Sequence, residues 1–319
     1  MNHTPLVSVG IITYNSSKYV LDALESVKAQ TYKNIELIVS DDCSTDNTVE
    51  ICQNWIEENR SRFVNSTLIT VEKNTGTAAN GNRTFAACKG DWVRLCAGDD
   101  ALFPDSIEKF VCFVTDHPDA KFVVGNIKEY KFSFEKENVV EGHMSIYNDN
   151  NDIIDKPSEE QFRKMLYGNS FIPPAVFNNM EVVRELGGYD EKYRILEDFP
   201  FYLKAMKAGY KFYKIDEYVH KYRTSDTNVF GRMDVLFNYK HQYYDYMVRK
   251  DMCFPYYTIR ERIRTHSRFV ICWIMDKLGL RKNTLFNRFV KTNLYRIFAL
   301  LTFDSEILRS FFLRRFGKL

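Results

Sequence analysis

The chain has 319 residues, of which 45% are hydrophobic and 15% aromatic, and its formal net charge is +2. That length allows one large domain or two ordinary ones, the hydrophobic share is enough for a sizeable core, and no internal repeat or low-complexity segment is present. Residues 231–319 carry 18 Lys+Arg against 7 Asp+Glu, whereas residues 1–230 carry 26 against 35, so an acidic body runs into a basic, aromatic tail.

The opening MNHTPLVSVG has no basic segment and no long apolar core, so no signal peptide is expected. Leu6–Ile12 reads as a buried first strand that delivers Thr13, Tyr14 and Asn15 at its carboxyl end. A helix follows from Tyr19 to Ala29. Ile35–Val39 is a second buried strand ending in Asp41 and Asp42, with Thr45 or Asp46 as the cap of a helix over Thr48–Glu58. Thr67–Val71 is a third strand, Asn74-Thr75-Gly76 a turn, and Ala78–Cys88 a helix. Asp91–Cys96 is a fourth strand, broken by Gly98 and followed at once by the carboxylates Asp99 and Asp100. The alternation of strand and helix predicts a mostly parallel sheet flanked by helices, with polar strand ends gathered along one edge where ligands of α/β folds sit.

Further on, Ile107–Phe113 is helical and Lys121–Val124 a strand. The stretch Ile127–Tyr147 alternates as antiparallel strands or a hairpin beside the main sheet would. Asn148–Pro157 reads as a loop, Glu159–Tyr167 as a helix, and Phe171–Phe177 as an extended segment. Glu181–Leu186 is a short helix stopped by Gly187-Gly188. Glu197-Asp198 precedes a helix over Phe199–Ala208, and Lys211–Ile215 and Tyr218–Tyr222 read as two short strands. From about Met233 the chain becomes helical, with Phe286, Phe289, Val290, Leu294, Ile297, Phe298 and Leu301 at helical spacing. After Asp304, Ile307, Leu308, Phe311 and Phe312 form an apolar face near Arg309, Arg314, Arg315 and Lys318. No run approaches the ~18 continuous apolar residues of a spanning helix. The seven cysteines are scattered without a CxxC pair, which predicts buried reduced thiols in the cytoplasm and no zinc site.

Several residue types suit one chemistry. Asp41 or Asp42 can accept hydrogen bonds from a uracil-type ring N–H or a ribose hydroxyl, with Tyr14 and Asn15 bracketing a base. Asp99 and Asp100 present oxygen ligands of the kind that magnesium and manganese share with substrate phosphates. A turn with a helix-capping acid is the other reading of such a pair. Glu197 and Asp198 equally suit the start of a helix, where acids favour the dipole.

The order of these motifs resembles family 2 glycosyltransferases of the GT-A fold over roughly residues 6–230. VSVGIITYN (Val7–Asn15) resembles the family's opening strand and nucleotide loop, and IELIVSDDCSTDNT (Ile35–Thr48) its acidic second loop. Gly98–Asp100 resembles the metal-binding DxD region, and GGYDEKYRILEDFPFYLKAMKAGYK (Gly187–Lys211) the acceptor-side turn and catalytic Glu-Asp pair. The resemblance implies a GT-A catalytic domain over residues 1–230 and a helical extension over 231–319. It implies an inverting, metal-dependent transfer from a nucleotide-sugar, a UDP-sugar by preference, to a hydroxyl of a glycan or lipid-linked glycan in surface polysaccharide assembly, such as O-antigen or capsule. Asp198 matches the general base and Glu197 its partner. Thr13, Tyr14, Asn15, Asp41, Asp42, Gly76, Asn82 and Asp99 would bind the nucleotide, and Asp100, with Asp99, the Mn2+ or Mg2+ ion. Departures exist: Ala97 replaces the first Asp of the fullest acidic motif, and Gly81 stands where relatives carry a basic residue, with Arg83 as a substitute. No His follows Tyr222-Arg223, His220 reads as a packing residue, and Asp226 is the remaining candidate for a third ligand. A catalytically decayed nucleotide-sugar-binding or scaffold protein of a polysaccharide assembly complex is the alternative. The basic tail fits either an anionic membrane surface, which would place the protein on the inner face of the cell membrane, or a packed subdomain. Nothing in the body suggests nucleic acid.

Overall fold

Val7–Thr13 forms strand β1, buried along nearly its full length because neighbours cover both faces, which is why its sequence is a continuous apolar run. The computed structural model describes residues 4–141, 151–154, 156–168, 175–224 and 235–301. Parallel to β1 lie β2 (Ile35–Asp41) and β4 (Trp92–Ala97), and β3 (Asn65–Ile69) adds parallel to β2. The helices α1 (Val20–Lys28), α2 (Thr48–Asn59) and α3 (Thr77–Ala87) connect them. On α1 the buried residues are Val20, Ala23, Leu24 and Val27, one stripe at helical spacing.

The sheet continues past β4 in a mixed half. After β5 (Ala101–Leu102) and α4 (Ser106–Asp116) come β6 (Phe122–Lys131), β7 (Val139–Val140), the four-residue α5 (Asn151–Ile154), α6 (Ser158–Leu166), β8 (Val176–Asn179), α7 (Met180–Glu185), α8 (Asp198–Lys207) and β9 (Phe212–Thr224). The order across the sheet is β3-β2-β1-β4-β8-β6-β9-β5, with β7 paired to β6. Phe177 on β8 is sandwiched between Trp92 at 4.9 Å and Phe110 at 5.0 Å, joining the two halves under α4. Each such buried ring contributes about 1.5–3 kcal/mol of apolar burial.

This half departs from the sequence expectation. Residues 122–131 form one strand parallel to β9 within the main sheet, and among the described residues of the stretch Val139–Val140 turns back antiparallel. The two short strands expected over Lys211–Ile215 and Tyr218–Tyr222 are one. Asp216 and Glu217, which read as a break, are absorbed in a bulge where the register jumps from Ile215 to Tyr218. Asn126 Nδ2 donates to Asp216 at 2.7 Å and Glu217 pairs with Lys109 at 2.9 Å, so both acids have partners outside the ladder. The third strand starts and ends two residues earlier than expected. Within the expected loop over Asn148–Pro157, Asn151–Ile154 is helical, and Gln161 Nε2 donates to the Ile154 carbonyl at 2.8 Å. Asp226, residues 142–147 of the alternating stretch, Phe171–Pro174 and the apolar face after Asp304 lie outside the described residues.

The chain divides into two units, Met1–Thr224 and Ser225–Leu319. In the second, α9 (Tyr239–Val248), α10 (Ile259–Lys277) and α11 (Leu285–Leu301) surround Phe237, Ile271, Cys272 and Met275, against which Leu294, Tyr295 and Phe298 pack. Thr258 and Glu261 cap α10 reciprocally. All seven cysteines are free; five are buried, Cys43 is half-buried and Cys112 is exposed.

Candidate active site

The polar strand ends meet along the carboxyl edge of β1, β2 and β4. Thr13 Oγ1 donates to Asp41 at 2.8 Å, and Ser44 donates to the same carboxylate through its N–H and its hydroxyl. Asn15, in left-handed backbone at φ 50°, has its N–H on Ser44 Oγ at 2.7 Å, and its Oδ1 accepts from the Thr45 N–H at 2.8 Å. The loops after β1 and β2 are therefore one tied unit, with Tyr14 half exposed at its rim. Asp46 takes the capping role, accepting from the Thr48 N–H and hydroxyl.

Asp42 faces the loop before α3. Its carboxylate accepts from the Thr75 N–H and hydroxyl, the Gly76 N–H and Arg83 at 2.8 Å. Burial alone would raise this carboxyl, and these donors outweigh it and hold it below the usual carboxylate range. Gly76 has φ 98°, and a Cβ there would lie 2.3 Å from Arg194 Cγ and 2.6 Å from the Arg194 carbonyl. The position thus needs glycine twice over, for backbone and for space.

Arg194 and Thr77, neither singled out in the sequence, join this loop to the Glu-Asp pair. Arg194 donates to the Asn74 carbonyl at 2.6 Å and its side-chain oxygen at 2.7 Å, and Thr77 Oγ1 donates to Glu197 at 2.7 Å. A basic residue three positions before Glu197 was the available signal, since it falls within reach of the same loop. Glu197 and Asp198 begin α8 and are half-buried. Burial, then the adjacent Asp198 charge, push the Glu197 carboxyl up to about 7 despite the Thr77 bond. Asn82 lies elsewhere than the nucleotide loops: its amide donates to the Tyr189 carbonyl and Glu191, and accepts from the Tyr189 N–H at 2.8 Å. It holds the Gly-Gly-Tyr-Asp turn against α3. The ring of Tyr189 fills the space beside Gly81, where a Cβ would come within 2.6 Å of it, so no larger residue fits that place. Arg83, the expected substitute, sits on Asp42.

The acidic turn after β4 is clamped from β9. Asp100, buried, accepts from His220 Nε2 at 3.0 Å and from the Arg223 N–H at 2.8 Å. His220 Nδ1 lies 2.8 Å from Arg94, which is only a donor, so the imidazole is the neutral tautomer with its proton on Nε2, donated to Asp100. Burial lowers the His220 pKa against the pull of Asp100, in keeping with that neutral form. Arg223 also donates to the Asp99 carbonyl, the Phe132 carbonyl and Asp22. Burial first, and the neighbouring Asp100 second, push the half-buried Asp99 carboxyl up to about 7.

These acids fit a divalent cation in one specific way. Two adjacent carboxylates, one of them raised by burial first and by the other second, are relieved by a positive charge. Asp100 is oriented by His220 and Arg223 while its oxygens keep second lone pairs, as ligating carboxylates commonly are. Among the described residues no cluster of three or more His, Cys, Asp or Glu forms a complete cation cage. A site with one or two carboxylates completed by substrate phosphates suits magnesium or manganese.

The sequence model described as Glycosyl transferase family 2 matches residues 8–178. The chain is similar to EpsE of Bacillus subtilis (strain 168), a protein named as a glycosyltransferase, with 28% identity over 235 residues, 73% of this chain and 77% of EpsE. It is 33% identical over 115 residues to TuaG of the same organism, named for teichuronic acid biosynthesis, across 36% of this chain and 44% of TuaG. Among solved structures, S. aureus TarS 1-349 in complex with UDP-GlcNAc matches with a TM-score of 0.59 and 17% identity, over 92% of this chain and 80% of that one. At that identity the likeness concerns the fold, and the fold is of the GT-A type.

Proposed function

The chain belongs to glycosyl transferase family 2, and from that premise we propose that it transfers a sugar, with inversion, from a UDP-sugar to a hydroxyl of a glycan or lipid-linked glycan in surface polysaccharide assembly. The observation that carries this reading is the Thr77–Glu197 bond at 2.7 Å. It joins the loop that closes on Asp42 to the acidic pair at the start of α8, so donor and acceptor sides share one wall. TarS bound to UDP-GlcNAc and the naming of TuaG support the donor and product class.

In this reading Thr13, Tyr14, Asn15, Asp41, Asp42 and Gly76 receive the nucleotide, with Asn82 steadying the acceptor-side turn behind them. Asp99 and Asp100 would hold Mn2+ or Mg2+, which when bound neutralises charge on the diphosphate leaving group. Asp198 takes the proton from the acceptor hydroxyl as that oxygen forms its bond to the anomeric carbon and the bond to the diphosphate oxygen breaks. Glu197, its carboxyl pushed up to about 7 by burial first and the Asp198 charge second, stands beside that base and is held by Thr77.

The test is nucleotide release from UDP-, GDP-, dTDP- and CMP-sugars with manganese, magnesium or chelator. One donor is expected to turn over slowly with metal and stop with chelator. Asp198→Asn should lower that rate by about 10²–10⁴-fold while calorimetry still detects donor binding. Silence with all donors, together with no nucleotide binding, would overturn the reading in favour of a decayed scaffold.

A further inference from the structure

Helix α11 is apolar on two sides. Leu294, Tyr295 and Phe298 pack toward Ile271, Cys272 and Met275, and Asn287 is buried on the same side. Leu285, Phe286, Phe289 and Ile297 lie on the other side, and they are 84%, 65%, 66% and 51% exposed. The exposed side also carries Asn293 and Arg296, so it is amphipathic, and a stripe containing two exposed phenylalanines implies an occupant. The charge around it narrows the choice. From Lys277 to Phe303 there are six Lys or Arg and no Asp or Glu. Lys282 and Arg288 are exposed beside the stripe.

We propose that this face of α11 docks on an anionic lipid bilayer, lying in the interface plane with Leu285, Phe286, Phe289 and Ile297 inserted and Lys282 and Arg288 on the headgroups. The combination of an inserted aromatic stripe with a basic border is what binds such a surface. A second copy of the chain suits the face poorly, because pairing it with itself would bring two acid-free basic segments together. No helix among the described residues is long and apolar enough to cross a membrane, so the contact is peripheral. The proposal rests on this helix and its charge, independently of the transfer chemistry.

The experiment is co-sedimentation of the full chain with vesicles of phosphatidylcholine alone, or with about 30% phosphatidylglycerol, at low and high salt. Binding is expected with the anionic vesicles, weakened by salt, and absent with the neutral ones. Phe286→Ser with Phe289→Ser should cut the bound fraction about tenfold. Lys282→Glu with Arg288→Glu should abolish the preference for anionic lipid. Both variants should keep the parental circular dichroism and donor hydrolysis, which separates lost docking from lost folding or lost catalysis. Equal binding to both vesicle types, or unchanged binding by the phenylalanine variant, would overturn the proposal. So would a chain that ignores vesicles, whether it self-associates through this face, binds polyanions such as nucleic acid, or stays monomeric.

Discussion

Arg223 is buried to within 1% of its surface, and its guanidinium is planar, which lets it reach the Asp99 carbonyl, the Phe132 carbonyl and Asp22 from one position. Lysine has one point of charge and cannot span those partners. Arg223→Lys is therefore expected to lower stability by about 3 kcal/mol, leaving buried acceptors unpaired. A thermal midpoint equal to the parent's would remove the clamp from this account. Glu197 works in the opposite sense. Its carboxyl is raised from 4.5 to about 7, so between those values the folded chain binds more protons than the unfolded one, and stability falls as pH rises through that window. Glu197→Gln keeps an acceptor for Thr77 and removes the charge. It should melt higher than the parent at about pH 8, and the gain should vanish near pH 4. Melting curves at the two pH values check the sign; a gain at low pH alone would contradict it.

At the scale of the element, the loop from Asn74 to Thr77 concentrates the site's constraints. Gly76→Ala adds a methyl 2.3 Å from Arg194 Cγ and keeps φ at 98°. It should cost about 1–3 kcal/mol of stability and weaken nucleotide binding, read by calorimetry, because Asp42 loses the Gly76 N–H when the loop shifts. Undiminished affinity would separate this loop from the donor site. The elements differ in how openly the sequence announces them. VSVGIIT and IELIVSD are continuous apolar runs because both their faces are covered, and they read as strands at sight. Strand β9 does not, because FYKIDEYVHKYRT carries charges that ordinarily mark solvent. Its Arg223 and His220 are buried only by virtue of partners on distant segments. The same holds for Arg94 in β4 and for Thr77, whose partner Glu197 lies 120 residues away. Short-range pattern exposes strand ends and acidic turns; it cannot expose a charge whose neutralising partner is remote in sequence.

At the scale of the molecule, the first unit is two sheet halves of different character. The β3-β2-β1-β4 half is parallel and built from consecutive elements, while β8, β6, β9 and β5 interleave later segments with earlier ones. The Asp99–Asp100 turn sits on the first half but is fastened from the second. His220 and Arg223 follow Asp100 by 120 and 123 residues. A chain leaving the ribosome would thus make its four parallel strands long before the fastening strand is synthesised. Until β9 arrives, two carboxylates sit side by side at the sheet edge without their neutralising contacts, and the turn that carries them has no fixed shape. Long-range pairing of this kind is slow because the intervening loop must close first. The fixed shape of that turn is then among the last features the nascent first unit acquires, so a truncated product that ends before β9 would keep a partly formed sheet and leave Asp99 and Asp100 unfastened.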